Sequence, residues 1–116
     1  MSQVLTPDQL VAELRSLSAR ISRGVSEVHN LELALDKSAR EYDWAKAAAS
    51  LKVTGTVDEK KNLAEMACSK EREAYDLAKA AFNYAKGLLK SLESAQMSTM
   101  AQLRAVDSTY RSAGRE

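Results

Sequence analysis

Val53-Thr54-Gly55-Thr56-Val57 is the stretch on which the fold of this chain turns, because it alone interrupts two long helix-compatible segments. Gly55 suits a left-handed backbone that finishes a helix, and Thr56 with Glu59 three residues on forms a capping box that opens the next one. A reversal this short favours antiparallel neighbours, so the minimal unit is an αα-hairpin.

Upstream of the turn, apolar or small residues recur at alternating steps of four and three: Leu10, Leu14, Leu17, Ile21, Gly24, Val28, Leu31, Leu35, Ser38, Tyr42, Ala45 and Ala49. One narrow stripe with a seven-residue period is the signature of a coiled-coil seam. Thr6 serves as N-cap with Pro7 at the first helical position and Gln9 closing the box, which sets the first helix at about 7–52 with the turn at 53–56. Downstream, Leu63, Ala67, Lys70, Ala74, Leu77, Ala81, Tyr84 and Leu88 keep the same spacing. Leu92, Leu103, Val106 and Tyr110 then continue one residue out of frame, which predicts a stutter or a break, best placed at Gln96-Met97-Ser98-Thr99. The second helix is therefore expected over about 57–95, continuing or restarting as a short third helix to about 112. With the reversal centred near Gly55, Ile21 should face Leu89, and Leu31 should face Lys79 or Ala80.

The fold class is all-α, a long antiparallel coiled-coil-like hairpin in one domain, 1–116. Two helices alone bury one stripe each. Val11, Val25, Leu33, Trp44, Leu51, Met66, Met97 and Met100 fall off the seam, and covering them calls for another chain. A homo-oligomer, most simply a dimer of hairpins forming a four-helix bundle, is expected.

Several classes of function are disfavoured. No apolar run reaches the ~18 residues of a membrane span and the start lacks signal-peptide organisation, so a cytoplasmic protein without membrane association is expected. A single Cys68 excludes an internal disulfide and reads as a small residue on or beside the seam. With only His29 beside it, no metal site can be assembled from the usual ligands, and neither a nucleophile with its base nor a phosphate-binding glycine loop is present. The expectation is a protein that is not an enzyme and needs no cofactor.

Charge gives the positive hint. The net charge is only +1, which offers no strong field for nucleic acid. Between Glu13 and Glu27, however, the charged groups are Arg15, Arg20 and Arg23, and between Asp76 and Glu93 they are Lys79, Lys86 and Lys90. A hairpin sets these acid-free stretches opposite each other, a candidate contact for nucleic acid or an acidic partner, with Arg104, Arg111 and Arg115 beyond and Phe82 and Tyr84 nearby. Trp44, off the seam, either packs under the turn or anchors an interface, where Trp is enriched.

Tyr42-Asp43-Trp44-Ala45-Lys46-Ala47-Ala48-Ala49, the turn Gly55-Thr56-Val57-Asp58-Glu59-Lys60-Lys61 and the terminal Arg111-Ser112-Ala113-Gly114-Arg115 together resemble small helical proteins of tailed bacteriophages infecting actinobacteria. Those proteins are encoded among early genes of the DNA-metabolism type. The resemblance implies host cytoplasm as the location and accessory work in DNA recombination or replication as one role. Helical hairpins of the type VII secretion pathway are a poorer likeness, since Trp44 is followed by Ala45-Lys46 and Tyr110 is followed four residues later by Gly114. The function expected first is an oligomeric helical-bundle adaptor or modulator of a protein partner, and second a nucleic-acid-binding accessory.

Overall fold

The computed structural model describes residues 5–114 and consists, over those residues, of three helices with no strand: α1 (Pro7–Ser50), α2 (Val57–Ala67) and α3 (Ser69–Gly114). The fold is the expected all-α helical hairpin. α1 begins at Pro7, where the backbone N–H of Thr6 donates to Gln9 Oε1 (2.9 Å) and the N–H of Gln9 donates to Thr6 Oγ1 (3.3 Å). The same reciprocal box opens α2, with Glu59 N–H donating to Thr56 Oγ1 (3.2 Å) and Thr56 N–H to Glu59 Oε2 (3.2 Å). Two orphan donors at each start are thereby satisfied.

Gly55 has φ +126°, as its place in the turn requires, but it does not finish α1, which ends at Ser50. It instead lets the chain approach the α2 cap: a Cβ there would lie 2.5 Å from Glu59 Oε2.

Along α1 each residue of the Leu10–Ala49 ladder is buried or half-buried, with Leu10 and Leu17 most fully enclosed. The second seam departs from expectation. The covered residues of α2 and α3 are Ala64, Cys68, Glu71, Tyr75, Ala78, Phe82, Ala85, Leu89, Leu92, Gln96, Thr99, Leu103 and Val106, an unbroken alternation of four and three. There is no stutter, and α3 runs through Gln96–Thr99 without a third C-terminal helix. Leu63, Ala67, Lys70, Ala74, Leu77, Ala81, Tyr84 and Leu88 lie one residue before the true seam and are all exposed. Two adjacent stripes of equal period run along these helices, and the one left outside also carries large apolar residues, Leu63, Leu77, Tyr84 and Leu88. The interruption falls at Cys68, whose backbone (φ −105°, ψ 17°) leaves the helical region for one residue while its N–H is shared between Ala64 and Glu65 carbonyls.

The chain divides into two compact units. One joins the chain up to Ser26 with the chain from Lys86 onward, and the other is Glu27–Ala85. In the first, Leu89 Cδ1 lies 3.1 Å from where a Cβ on Gly24 would stand, and Gln96 Nε2 donates to Ser18 Oγ (3.1 Å). Leu89 is thus seated at Gly24, nearly one turn past the expected Ile21, because the true seam sits one residue later in α3 and the reversal is longer than a tight turn. The absent side chain at Gly24 is what admits Leu89. Thr99, buried on the seam, satisfies its hydroxyl by donating to Ala95 O (2.9 Å).

In the unit Glu27–Ala85 the buried members of the seam are small: Ala64, Cys68 and Ala85. Burial of small groups yields little hydrophobic stabilisation, at about 25 cal/mol per Å². A polar and aromatic cluster supplements it. Tyr42 and Tyr75 stack with ring centroids 6.1 Å apart, and Glu65 collects the Tyr42 hydroxyl (2.8 Å), the Lys46 ammonium (2.9 Å) and the Arg72 guanidinium (3.2 Å).

Candidate functional site

The cationic residues singled out by the sequence lie on α1 and α3, and all six are exposed. Arg15, Arg20, Arg23, Lys86 and Lys90 belong to the unit that joins the chain up to Ser26 with the chain from Lys86. Their placement follows from heptad position. With Leu10 and Leu17 at d and Leu14 and Ile21 at a, Arg20 is at g and Arg23 at c; with Ala85 at d and Leu89 at a, Lys86 is at e and Lys90 at b. Reversing one strand of a helix pair keeps like letters on the same flank of the seam. Arg20 and Arg23 therefore stand on the g flank, while Lys86 and Lys90, with Arg15 at b, stand on the e flank. With Gly24 at Leu89 and Ser18 at Gln96, the acid-free stretches overlap only over about 21–26 and 87–92, and their charges are divided between two flanks rather than gathered into one patch.

Lys79 belongs to the unit Glu27–Ala85, where it is exposed on α3. Farther along α3, Arg111 pairs with Asp107 (3.2 Å) on an exposed surface. Arg115 lies outside the described residues. Of the nearby aromatics, Phe82 sits half-buried on the seam, whereas Tyr84 is exposed.

Trp44 is 68% exposed, so it does not pack under the turn. It projects from the c position of α1, two residues from Tyr42. Cys68 is on the seam and buried, and burial, with Glu71 and Glu65 nearby, pushes its thiol up from the ordinary range. It is held as an unreactive thiol. His29 is an exposed residue of α1.

Sequence reasoning missed the cluster around Glu65. Three donors converge on this carboxylate, and hydrogen bonds from Lys46 and Tyr42 hold it below the usual carboxylate range despite partial desolvation. The same contacts raise Tyr42 and Lys46, each chiefly through its hydrogen bond to Glu65. The cluster ties α1 to α2 and α3, and the Lys46 ammonium also lies 5.8 Å from the Tyr42 ring centroid. Its geometry is that of a polar clasp with every group engaged. Beside it, a groove of about 510 Å³ runs along α2 and α3, with Met66 and Leu77 as its apolar members and Arg72, Glu73 and Asp76 as its charged ones.

Among the described residues no group of three or more His, Cys, Asp or Glu could hold a metal ion, and no helix is long and apolar enough to cross a membrane. What the arrangement offers is surface: exposed Leu63, Met66, Leu77 and Tyr84 on α2 and α3, and exposed Trp44 on α1. Comparison with known proteins finds no matching family model, no matching curated protein and no matching solved structure.

Proposed function

We propose that this chain is a non-enzymatic interaction protein, an oligomeric helical bundle, most simply a dimer of hairpins, that acts as an adaptor or modulator of a protein partner. The observation that carries this reading is the imbalance between core and surface. The buried apolar set is Leu10, Leu17, Ala64, Cys68 and Ala85, while Leu77, Tyr84, Met66 and Trp44 each remain more than half exposed. Apolar groups of that size in water are normally accounted for by another chain. Trp44 is the residue we assign to the partner interface, since it is isolated on α1 and large. The setting we propose, a host cytoplasm, is drawn from the resemblance to small helical proteins of actinobacterial phages. Light scattering tests the oligomer: a helical monomer at micromolar concentration ends this reading.

The second reading, an accessory of phage DNA recombination or replication, draws on the exposed, acid-free stretches bearing Arg15, Arg20, Arg23, Lys86 and Lys90. Against it stand the net charge of +1 and the division of these groups between two flanks. Titration with single- and double-stranded DNA at two salt concentrations separates the readings, because phosphate contacts weaken steeply with salt. The expected outcome is no affinity even at low salt. Tight, salt-dependent binding that is lost on replacing those five residues with Gln, with helicity unchanged, would instead establish the DNA reading.

A further inference from the structure

In the unit Glu27–Ala85, α2 and α3 carry Leu63, Ala67, Lys70, Ala74, Leu77, Ala81 and Tyr84 at alternating steps of four and three, beside the seam and entirely exposed. A solvated helix face is ordinarily charged. This one holds a single charge, Lys70, and its large members stand well out, with Leu77 66% and Tyr84 71% exposed. A seven-residue period is needed only where the covering object is itself a helix lying nearly parallel to the axis. α1 carries no second stripe of this kind, since Val11, Val25, Leu33 and Trp44 do not repeat at that spacing.

The sizes along the stripe identify the occupant. Leu63, Lys70, Leu77 and Tyr84 fill one position of the repeat and Ala67, Ala74 and Ala81 fill the other. A parallel copy would set large against large, with Lys70 against Lys70, and leave gaps where alanine meets alanine. An antiparallel copy exchanges the two positions, so Lys70, Leu77 and Tyr84 each meet an alanine, and Leu63 alone meets a large residue, Leu88. With the two-fold axis between Tyr75 and Asp76, Ala67 of one copy faces Tyr84 of the other, Lys70 faces Ala81, and Ala74 faces Leu77, each pair occurring twice as an isologous interface demands. On the flank, Glu73 then meets Ala80 rather than another acid. There is area to spare: the chain leaves 9033 Å² accessible. A compact monomer of its mass would leave about 6,200 Å². The difference exceeds the roughly 800 Å² per partner of a standard interface.

We infer that this exposed stripe of α2 and α3 is the surface on which a second copy of the chain docks, antiparallel, with Lys70, Leu77 and Tyr84 seated on the other copy's alanines. The inference rests on the oligomeric reading above and adds its face, direction and register.

Sedimentation equilibrium on the full chain tests it. The unmodified protein should be dimeric, and the double variant Leu77→Lys, Tyr84→Lys should raise the dimer dissociation constant by roughly a hundredfold or more while keeping its helicity. Filling a hole with Ala74→Trp should weaken the dimer too, and Trp44→Lys should leave it unchanged. Direction is read by cross-linking in a Cys68→Ala background: Ala67→Cys chains and Tyr84→Cys chains should form a disulfide when mixed, and little when either is oxidised alone. A monomeric unmodified protein would remove the oligomeric reading together with this one. A dimer that survives the double variant would leave the oligomer standing and overturn the assigned face. Efficient cross-linking of either cysteine chain alone would overturn the antiparallel register.

Discussion

α1 and the α2–α3 segment meet in each of the two compact units, yet they are built differently. α1 has one stripe, and its buried members Leu10 and Leu17 are large. The α2–α3 segment has two stripes side by side, of which the enclosed one is made largely of alanine, cysteine and polar residues and the exposed one holds Leu63, Leu77, Tyr84 and Leu88. A helix with one apolar stripe is saturated by one neighbour. A helix with two has a face left over, and here the leftover face carries Leu63, Leu77, Tyr84 and Leu88 in the open. Under the proposed dimer, α2 and α3 would serve both the hairpin and a second copy.

The sharpest way to break that comparison is truncation on each side of it. Leu17→Ala, at a side chain 2% exposed, should cost about 2–5 kcal/mol in denaturant unfolding. Leu77→Ala should change the stability of the dilute monomer by less than about 0.5 kcal/mol, because the side chain is already in water. Equal losses would mean that the second stripe is also covered within one chain. Leu31→Ala should fall between them, its side chain being half-buried.

The junction comes next in magnitude. Gly55→Val places a β-branched residue at φ +126° and a Cβ against the Glu59 carboxylate, and should cost on the order of 1–2 kcal/mol, read as a lower midpoint of unfolding. Thr56→Ala removes one half of the capping box and should cost about 1 kcal/mol, with helix loss confined to the start of α2.

The smallest effect expected is that of acid on the Glu65 clasp. Hydrogen bonds from Lys46 and Tyr42 hold this carboxyl below its ordinary range, so its stabilisation is complete above the usual carboxylate pKa and fades as the pH falls through the depressed folded value. The melting temperature should therefore drop toward acid with a contribution that Glu65→Gln abolishes. A variant with the same acid dependence as the parent would show that the clasp contributes nothing to stability.

Much of this was legible from residues alone. Thr6 and Gln9, and Thr56 and Glu59, are local pairs whose hydrogen bonds close within one turn, so their pattern identifies both helix starts. The α1 ladder was legible because only one stripe competes for the seam. The second ladder was not, because Leu63, Leu77, Tyr84 and Leu88 recur at the same spacing as the enclosed Tyr75, Phe82, Leu89 and Leu92 and compete with them for the seam. An apparent slip near Gln96 was the artefact of joining one stripe to the other. The Glu65 cluster was hidden for a different reason. Tyr42, Lys46, Glu65 and Arg72 come from α1, α2 and α3, and no local spacing announces a contact across a hairpin.

The sequence by itself determined the helical class, the starts of α1 and α2, the reversal at Gly55 and the face α1 turns inward, since each depends on propensity, capping or periodicity over a few turns. Only the tertiary structure decided which of two equally periodic stripes α2 and α3 would bury, that Gly24 would receive Leu89, and that the basic residues would part onto two flanks. Periodicity fixes which residues share a helix face. It does not fix which face meets a neighbour, because that choice rests on how closely two backbones can approach, and small residues such as Ala64, Ala78 and Ala85 permit the approach that larger ones would prevent.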